Sequence, residues 1–444
     1  MSEQHRSHTA AMITLGCKVN QYESEAIAER LAELGFRVLS PTDFCDVYIV
    51  NTCTVTAESD RKCRQLIRRA IAKNPEAYII VCGCMAQVSP DACAAIEGVD
   101  CILGNSDKLR CADEALRLVT DGHKRGSASV CVDDVDSAPF EPMCIHQFGR
   151  TRAYLKIEDG CESRCTYCII PKARGKVRSK PFDEVIAEAR ALIESGTREI
   201  VLTGIETGSY GRDTGEHDLA DVLQAVNAIE GDFRIRTGSL DPFAMKRVFV
   251  DRIAGLSKLA PHFHLSMQSG SDRILALMKR KYNAEIALNN ILYLKKAMPS
   301  VMLTTDIITG FPTETEDDFA ATVEFARKAR FLSMHVFPYS ERKGTPAAQM
   351  EGSVPVSIRH ARCNALIEVG KSITEELLDD FLARNRTVPV LFEVYKDGMA
   401  IGHTPEFVEI GVRSPRDLRS EIRTVTLAGR SGALCLGELT EFNQ

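Results

Sequence analysis

Cys161, Cys165 and Cys168 stand as C-x-x-x-C-x-x-C in a chain of 444 residues. Three thiolates in one loop can hold three irons of a four-iron cluster, and no fourth cysteine is close by to take the last. A catalytic metal needs such an open position, whereas a structural one avoids it. An open cluster iron can chelate the amino and carboxylate groups of S-adenosylmethionine and pass one electron to its sulfonium, a recognised source of radicals. Tyr167, just before the last cysteine, is placed to lie against the adenine. The rival is a zinc site completed by a distant histidine, but zinc knuckles more often pair two C-x-x-C elements.

A second set comes from the first hundred residues. Cys17, Cys53 and Cys84 each close an apolar run, MITLGC, VYIVNTC and AYIIVCGC, at intervals of about one strand–helix unit. In a parallel sheet that spacing brings them to one carboxyl edge, where open α/β folds bind ligands. Three thiolates meeting there would hold a second cluster with one open iron. Small buried hydrophobes at strand ends are the plainer reading, and spacing alone leaves the two even. It also leaves Cys82 beside Cys84 as an alternative. Cysteines 45, 63, 93, 101, 111, 131, 144, 363 and 435 show no ligand spacing.

The elements that must carry these residues fall into three blocks. From 10 to 120, apolar strands alternate with amphipathic helices such as SEAIAERLAELGF and RKCRQLIRRAIAK, which predicts a parallel sheet covered on both faces. It has no glycine-rich phosphate loop. Residues 121–147 are polar and weakly periodic, as a linker is. From 148 to 383 a second series begins at RAYLKIED and continues through REIVLTGIE, FRIRTGSL, HFHLSMQSG, VMLTTDIITGFP and LSMHVFPYS. Six strands in this alternation predict a partial TIM-type (β/α)6 barrel with its chemistry at the strands' carboxyl ends. Residues 384–444 change to short β-rich runs with turns at Lys396-Asp-Gly and Arg430-Ser-Gly, a small all-β barrel of a kind often used for RNA.

Composition sets bounds on the partners. A hydrophobic share of 44% and a charged share of 26% are those of a soluble globular chain, and no apolar stretch approaches a membrane span. No secretory signal opens the sequence, so the expected compartment is the cytoplasm. Sixteen cysteines there are reduced thiols and not a disulfide framework. A net charge of −6 gives no global sign of nucleic acid, so any RNA contact is local. Two basic stretches qualify: Lys172, Arg174, Lys176, Arg178 and Lys180, and the loop with Arg413, Arg416, Arg419 and Arg423. The first has a solvated surface strand as its alternative reading.

The run DGCESRCTYCIIPKARGKVRSK resembles the cluster loop of the radical S-adenosylmethionine superfamily, and more narrowly that of the methylthiotransferases. The likeness extends through LGCKVNQYES, VNTCTVT, CGCMAQ, LTGIETGSYG, LSMQSGSDRILALMKRKY, TTDIITGFPTETEDDF and FPYSERKGTPA, nearly the whole chain. Lys172 departs from the pattern, which usually has an aromatic residue after the proline; a substrate contact is put in doubt there and the cluster is not. The resemblance implies that Cys17, Cys53 and Cys84 bind a cluster, with Cys84 preferred over Cys82. It also implies that Thr203, Gly204 and Glu206 hold the methionine end of S-adenosylmethionine. Ser239 and Asp241 are placed to reach the ribose, and Gln268 and Ser269 end the next strand. For each of these, strand-end capping is as good a reading. Gly310 and Pro312 make a turn, and His335 is a lone histidine, more often a satisfied core residue than a proton donor. The terminal β-rich block resembles the TRAM module of RNA-modifying enzymes, through GHTPEFVEIGV and LGEL.

The implied activity is methylthiolation of an adenosine in tRNA, with two four-iron, four-sulfur clusters (4Fe-4S), S-adenosylmethionine and a reducing electron donor. Lys18 and Val19 match the branch acting on threonylcarbamoyladenosine beside the anticodon. Other branches act on isopentenyladenosine or on an aspartate of a ribosomal protein. Lys18 is a candidate for the substrate's carboxylate. A non-enzymatic iron–sulfur scaffold is the rival of another class, and it predicts no cleavage of S-adenosylmethionine.

Overall fold

Val47–Thr52 is buried along its whole length, and its side chains part by alternation: Val47 and Ile49 enter one core, Tyr48 and Val50 another. That period-two split identifies a strand covered on both faces. In the computed structural model it is the centre of a six-stranded parallel sheet, formed by β1 (Thr9–Thr14), β2 (Arg37–Leu39), β3 (Val47–Thr52), β4 (Tyr78–Gly83), β5 (Cys101–Leu103) and β6 (Ser129–Cys131) in the order β2-β1-β3-β4-β5-β6. One face packs Cys63, Ile67 and Ala70 of the helix Ala57–Lys73, and the other packs Ile27 and Leu31 of the helix Lys18–Glu33. The structure describes residues 8–440 apart from His123, Arg125 and Gln147. Those three fall in the expected linker 121–147, and residues 441–444 end the expected last domain; these positions lie outside the described residues.

The chain forms two units. The first joins residues 1–145 with 156–180 and 340–345. Besides the sheet it contains a small antiparallel pair, β8 (Glu158–Asp159) with β9 (Arg178–Ser179), which brackets the Cys161–Cys168 loop. That loop therefore packs with the N-terminal sheet, although by sequence it belongs with the barrel that follows.

The second unit carries the barrel strands. β7 (Ala153–Lys156), β10 (Glu199–Thr203) and β11 (Arg234–Thr237) form a sheet in the order β11-β10-β7. β12 (Ser239–Leu240), β13 (His262–Gln268), β14 (Met302–Thr309) and β15 (Ser333–Pro338) form another in that order, with parallel pairing throughout. β11 and β12 are one run interrupted at Gly238, so six strand positions make an unclosed barrel. The intervening helices start on side-chain caps, with capping boxes at Asp218 and Thr315 and single caps at Ser271 and Asn283.

A helix of 29 residues, Val356–Arg384, leads to five strands, β16 (Thr387–Lys396), β17 (Met399–His403), β18 (Glu409–Arg413), β19 (Ile422–Ser431) and β20 (Leu434–Leu439). They close into a barrel in the order β16-β17-β18-β20-β19. Its core of Val388, Val390, Phe392 and Ile410 is continuous with Leu377, Leu378 and Phe381 of that helix. Phe407 stacks between His262 and His403 under the guanidinium of Arg236, which fixes the small barrel to the larger one. No helix of the described residues is long and apolar enough to cross a membrane.

Candidate functional site

Cys17, Cys53 and Cys84 follow β1, β3 and β4, which are neighbours in the sheet, so they reach the same carboxyl edge. Their charges act on one another: burial pushes the Cys53 thiol up to about 11, and Cys84 and Cys17 push the same way. Cys17 is the N-cap of the helix Lys18–Glu33, and burial raises its thiol although Arg174 acts to lower it. Gly83 at φ 96° turns the chain into Cys84, and a Cβ there would meet the Thr52 carbonyl oxygen at 2.6 Å. Cys82 instead points into the apolar core with Ala10, Cys101 and Cys111. Among the described residues no three His, Cys, Asp or Glu side chains stand as ligands of a single metal ion. A cluster holds its sulfurs further apart than one ion does, and an all-thiolate donor set is what an iron–sulfur cluster takes.

Cys161, Cys165 and Cys168 lie in the loop after β8. The Cys161 amide donates to Gly175 O at 2.9 Å and the Cys168 amide to Cys165 O at 3.1 Å. Cys168 Sγ accepts from the Ile170 amide at 3.4 Å. Gly160 at φ 88° lets β8 pass beside Lys176, whose carbonyl oxygen would lie 1.8 Å from a Cβ. Tyr167 in this loop is half-buried.

The short helix Ile170–Arg174 ends on the residue that ties this loop to the other cysteine set. Arg174 is fully buried, and its Nε donates to Cys84 Sγ at 3.3 Å. Its terminal nitrogens reach Asn20 Oδ1 at 2.7 Å, the Glu23 carboxylate, and Asp159 Oδ2 at 3.1 Å. Lys156 Nζ lies 2.8 Å from Glu23 and 2.7 Å from Asp159, and Lys108 also pairs with Glu23. Burial would raise Glu23, but Arg174, Lys108 and Lys156 hold it well below the usual carboxylate range. Arg174, Lys156 and Lys108 thus converge on the Glu23 and Asp159 carboxylates, and Arg178 reaches Asp159 at 3.8 Å, the buried charges being paired with one another. Asn105 Nδ2 approaches the same sulfur at 3.6 Å while donating to Ala173 O at 2.7 Å. On the Cys53 side, Arg342 binds Asp60 at 2.7 Å and Thr54 Oγ1 at 2.6 Å.

The basic stretch is corrected by these contacts. Arg174, Arg178 and Lys180 are buried, so they are not phosphate contacts. Arg178 donates to Val135 O at 3.0 Å and Lys180 to Met143 O at 2.7 Å. Lys172 and Lys176 are exposed, with Lys172 Nζ donating to Gly344 O at 2.6 Å. Arg413, Arg416, Arg419 and Arg423 are exposed too; Arg416 and Arg423 pair with Glu421 and Arg419 with Asp417. Lys18 is half-buried at the start of its helix.

In the second unit Thr203 ends β10 and is buried, and Gly204 and Glu206 follow it half-buried. Burial, then the nearby Asp241, push Glu206 up to about 7. Asp241 caps Phe243 N at 2.8 Å and pairs with Arg280 at 2.9 Å; Ser239 is exposed. Gln268 ends β13 at φ 69°, a conformation uncommon outside glycine. Ser269 is buried, its hydroxyl sharing a hydrogen bond with Thr322 at 3.3 Å. Gly310 turns the chain at φ 70° and donates to Glu314 at 2.8 Å, with Pro312 just beyond. His335 is exposed and not a core residue; it and His264 flank Asp306 at 3.2 and 3.1 Å. Sequence reasoning misses Glu23, Lys108, Lys156 and Asp159, which come from separate stretches of the chain and are buried together only in the fold.

The model of the radical SAM superfamily matches residues 155–326, and that of the uncharacterized protein family UPF0004 matches residues 9–104. The chain is 38% identical, over 94% of its own length and 93% of the other, to a threonylcarbamoyladenosine tRNA methylthiotransferase of Bacillus subtilis. A Thermotoga maritima protein of the same name is 38% identical, with 90% of each chain covered. A tRNA-2-methylthio-N(6)-dimethylallyladenosine synthase of Acetivibrio thermocellus is 36% identical over 86% of this chain and 79% of its own. Among solved structures, the radical S-adenosylmethionine methyltransferase TsrM of Kitasatospora setae superposes with a TM-score of 0.54, at 15% identity and 77% coverage of each chain, a likeness of fold alone.

Proposed function

The chain belongs to the radical S-adenosylmethionine tRNA methylthiotransferases, and from that membership we propose that it adds a methylthio group to carbon 2 of threonylcarbamoyladenosine beside the anticodon of tRNA. The observation that carries this reading is the pair of three-cysteine sets in one unit, tied together by Arg174. Enzymes of this family use 4Fe-4S clusters and S-adenosylmethionine, which together supply a radical able to take hydrogen from an unactivated adenine C–H. Cys161, Cys165 and Cys168 are the proposed ligands of one cluster, and Cys17, Cys53 and Cys84 of the other.

Tyr167, Thr203, Gly204, Glu206, Ser239, Asp241, Gln268 and Ser269 are the proposed contacts of S-adenosylmethionine. Glu206 is suited to accept a hydrogen bond from its iron-bound amino group, an interaction that the ionised carboxylate makes best. Exposed Lys172, Lys176, Arg413, Arg416, Arg419 and Arg423 are proposed to meet tRNA at the anticodon stem-loop, where arginine matches phosphate in two hydrogen bonds. The reaction takes place in the cytoplasm with a reducing electron donor.

Mass spectrometry of tRNA nucleosides from cells lacking the protein tests the reading. Loss of the methylthio form of threonylcarbamoyladenosine is expected. Loss of the methylthio isopentenyl form alone would move the chain to the other tRNA branch, and methylthiolation of a ribosomal protein with tRNA untouched would move it to the third.

A further inference from the structure

The helix Ala57–Lys73 begins four residues beyond Cys53, and its Arg61–Lys73 stretch, RKCRQLIRRAIAK, has six basic residues and no acid. Its Cys63, Ile67 and Ala70 are buried against the sheet. The opposite side carries Arg61, Arg64, Gln65, Arg68 and Arg69, which line a shallow surface groove of about 430 Å³ with Ala72. Asp60, in the first turn, is taken by Arg342, and Glu58 by Arg61 and Lys62. Arg64, Arg68 and Arg69 form no ion pair among the described residues.

Several exposed cations on other helices are instead paired. Arg30 pairs with Glu33 and Asp113, Arg117 with Glu114 and Asp121, Lys328 with Glu324, and Lys371 with Glu368. On the helix Ala57–Lys73 the i,i+4 pairs Arg64–Arg68 and Arg69–Lys73 are instead like-charged, at a cost of roughly 0.2–0.5 kcal/mol each. Proximity of Arg69 and Lys73 to the helix C-terminus offsets part of that cost, but it does nothing for Arg64. A protein with a net charge of −6 thus concentrates unpaired guanidinium groups on one face.

We propose that the Arg64–Arg68–Arg69 face is a phosphate-binding surface for tRNA, an inference that rests on tRNA being the substrate. Side chains one helical turn apart on a rigid rod present a row of planar donors to a sugar–phosphate backbone. Contacts of this kind carry no sequence information; they fix the register of the RNA along the helix that starts at the Cys53 turn. The surface thereby sets which nucleotide is delivered to the sheet's carboxyl edge.

The test uses the full-length, cluster-reconstituted protein and unmodified substrate tRNA, with affinity measured across NaCl from about 50 to 200 mM. The variant is Arg64→Gln/Arg68→Gln/Arg69→Gln. A control, Arg190→Gln/Lys296→Gln/Arg327→Gln, removes the same charge from exposed positions on three other helices. The first variant is expected to bind about tenfold or more weakly at the lowest salt, with a log–log salt slope shallower by about one for each phosphate it no longer neutralises. Iron content and cleavage of S-adenosylmethionine without tRNA are expected to stay at wild-type values. Lysine at the three positions is expected to restore most of the salt slope and part of the affinity. Equal affinity and slope for the glutamine variant and the control would overturn the proposal. A wild-type protein that fails to bind tRNA would overturn it by a separate route, through the substrate reading beneath it.

Discussion

Arg174 Nε donates a hydrogen bond to Cys84 Sγ at 3.3 Å while the same guanidinium grips Glu23 and Asp159. A residue six positions past Cys168 thereby touches a cysteine of the other set, inside a buried group of ion pairs that joins Arg174, Lys156 and Lys108 to Glu23 and Asp159. Hydrogen bonds to cluster sulfurs are among the quantities that set an iron–sulfur potential.

Removing that guanidinium unbalances the group. Arg174→Met is expected to destabilise the protein by about 3–5 kcal/mol, the usual cost of breaking a buried ion pair from one side. Arg174→Lys, which keeps the charge and loses the fork, is expected to cost less. Urea denaturation of both variants checks the order; equal stability of Arg174→Met and wild type would refute it.

The proposed ligand set makes Cys82 and Cys84 of CGC differ in their response to substitution. Cys84→Ala is expected to lose about four irons per chain on anaerobic reconstitution, the content of one cluster. Cys82→Ala is expected to keep its iron and to lose stability alone, because Cys82 is a packed core residue. Iron analysis with absorbance spectra reads both, and the reverse pattern would reassign the ligand.

The proposed place of Glu206 beside the cofactor predicts a pH-dependent affinity. With its carboxyl at about 7, the charged form that accepts from the amino N–H is half present at neutrality, predominates above it, and falls toward tenfold per pH unit well below it. Calorimetric titration of S-adenosylmethionine from pH 6 to 8 is expected to show affinity rising with pH, and Glu206→Gln to flatten the profile. A flat wild-type profile would exclude this role.

Glu141 carries an opposite cost. Burial pushes it up to about 7, and although Oε1 accepts from the Leu109 amide at 2.8 Å, Oε2 has no hydrogen-bond partner among the described residues. A carboxyl raised on folding stabilises the folded state fully below its unfolded value of 4.5, and that contribution is lost as pH rises through about 7. Glu141→Gln, neutral at every pH, is therefore expected to be up to about 3 kcal/mol more stable than wild type at pH 8 and close to it at pH 4.5. Thermal melts at the two pH values decide this.

Legibility in the sequence follows from length and periodicity. β3 and β4 are six-residue apolar runs, and the spacing of the cysteines that follow them is enough to set both on one sheet edge. β2 and β6 are three residues each, too short to show a period, and β6 falls within the polar stretch that suits a linker. The alternation of Lys172, Arg174, Lys176, Arg178 and Lys180 resembles a solvent-facing row because the acids that bury part of it are distant. Glu23 lies 151 residues before Arg174, and no local pattern announces such a partner. His335 departs in the opposite direction: its strand is the last in its sheet, with one face left open, so a position inside an apolar run is exposed.

The clasp of Arg342 on Asp60 and Thr54 bears on how the chain is made. The two ends of that contact are 282 residues apart, and the segment 340–345 completes a unit whose sheet is built almost entirely from the first third of the sequence. At about 5–20 residues per second, a ribosome leaves the Cys53 turn without its last brace for roughly fifteen seconds to a minute. The sheet can fold as it emerges, but the edge that carries Cys17, Cys53 and Cys84 is finished only after the whole barrel has been synthesised. Loading of the cluster proposed for that edge is expected to wait until residue 342 has emerged, and a product terminated before it lacks the brace on its Cys53 turn.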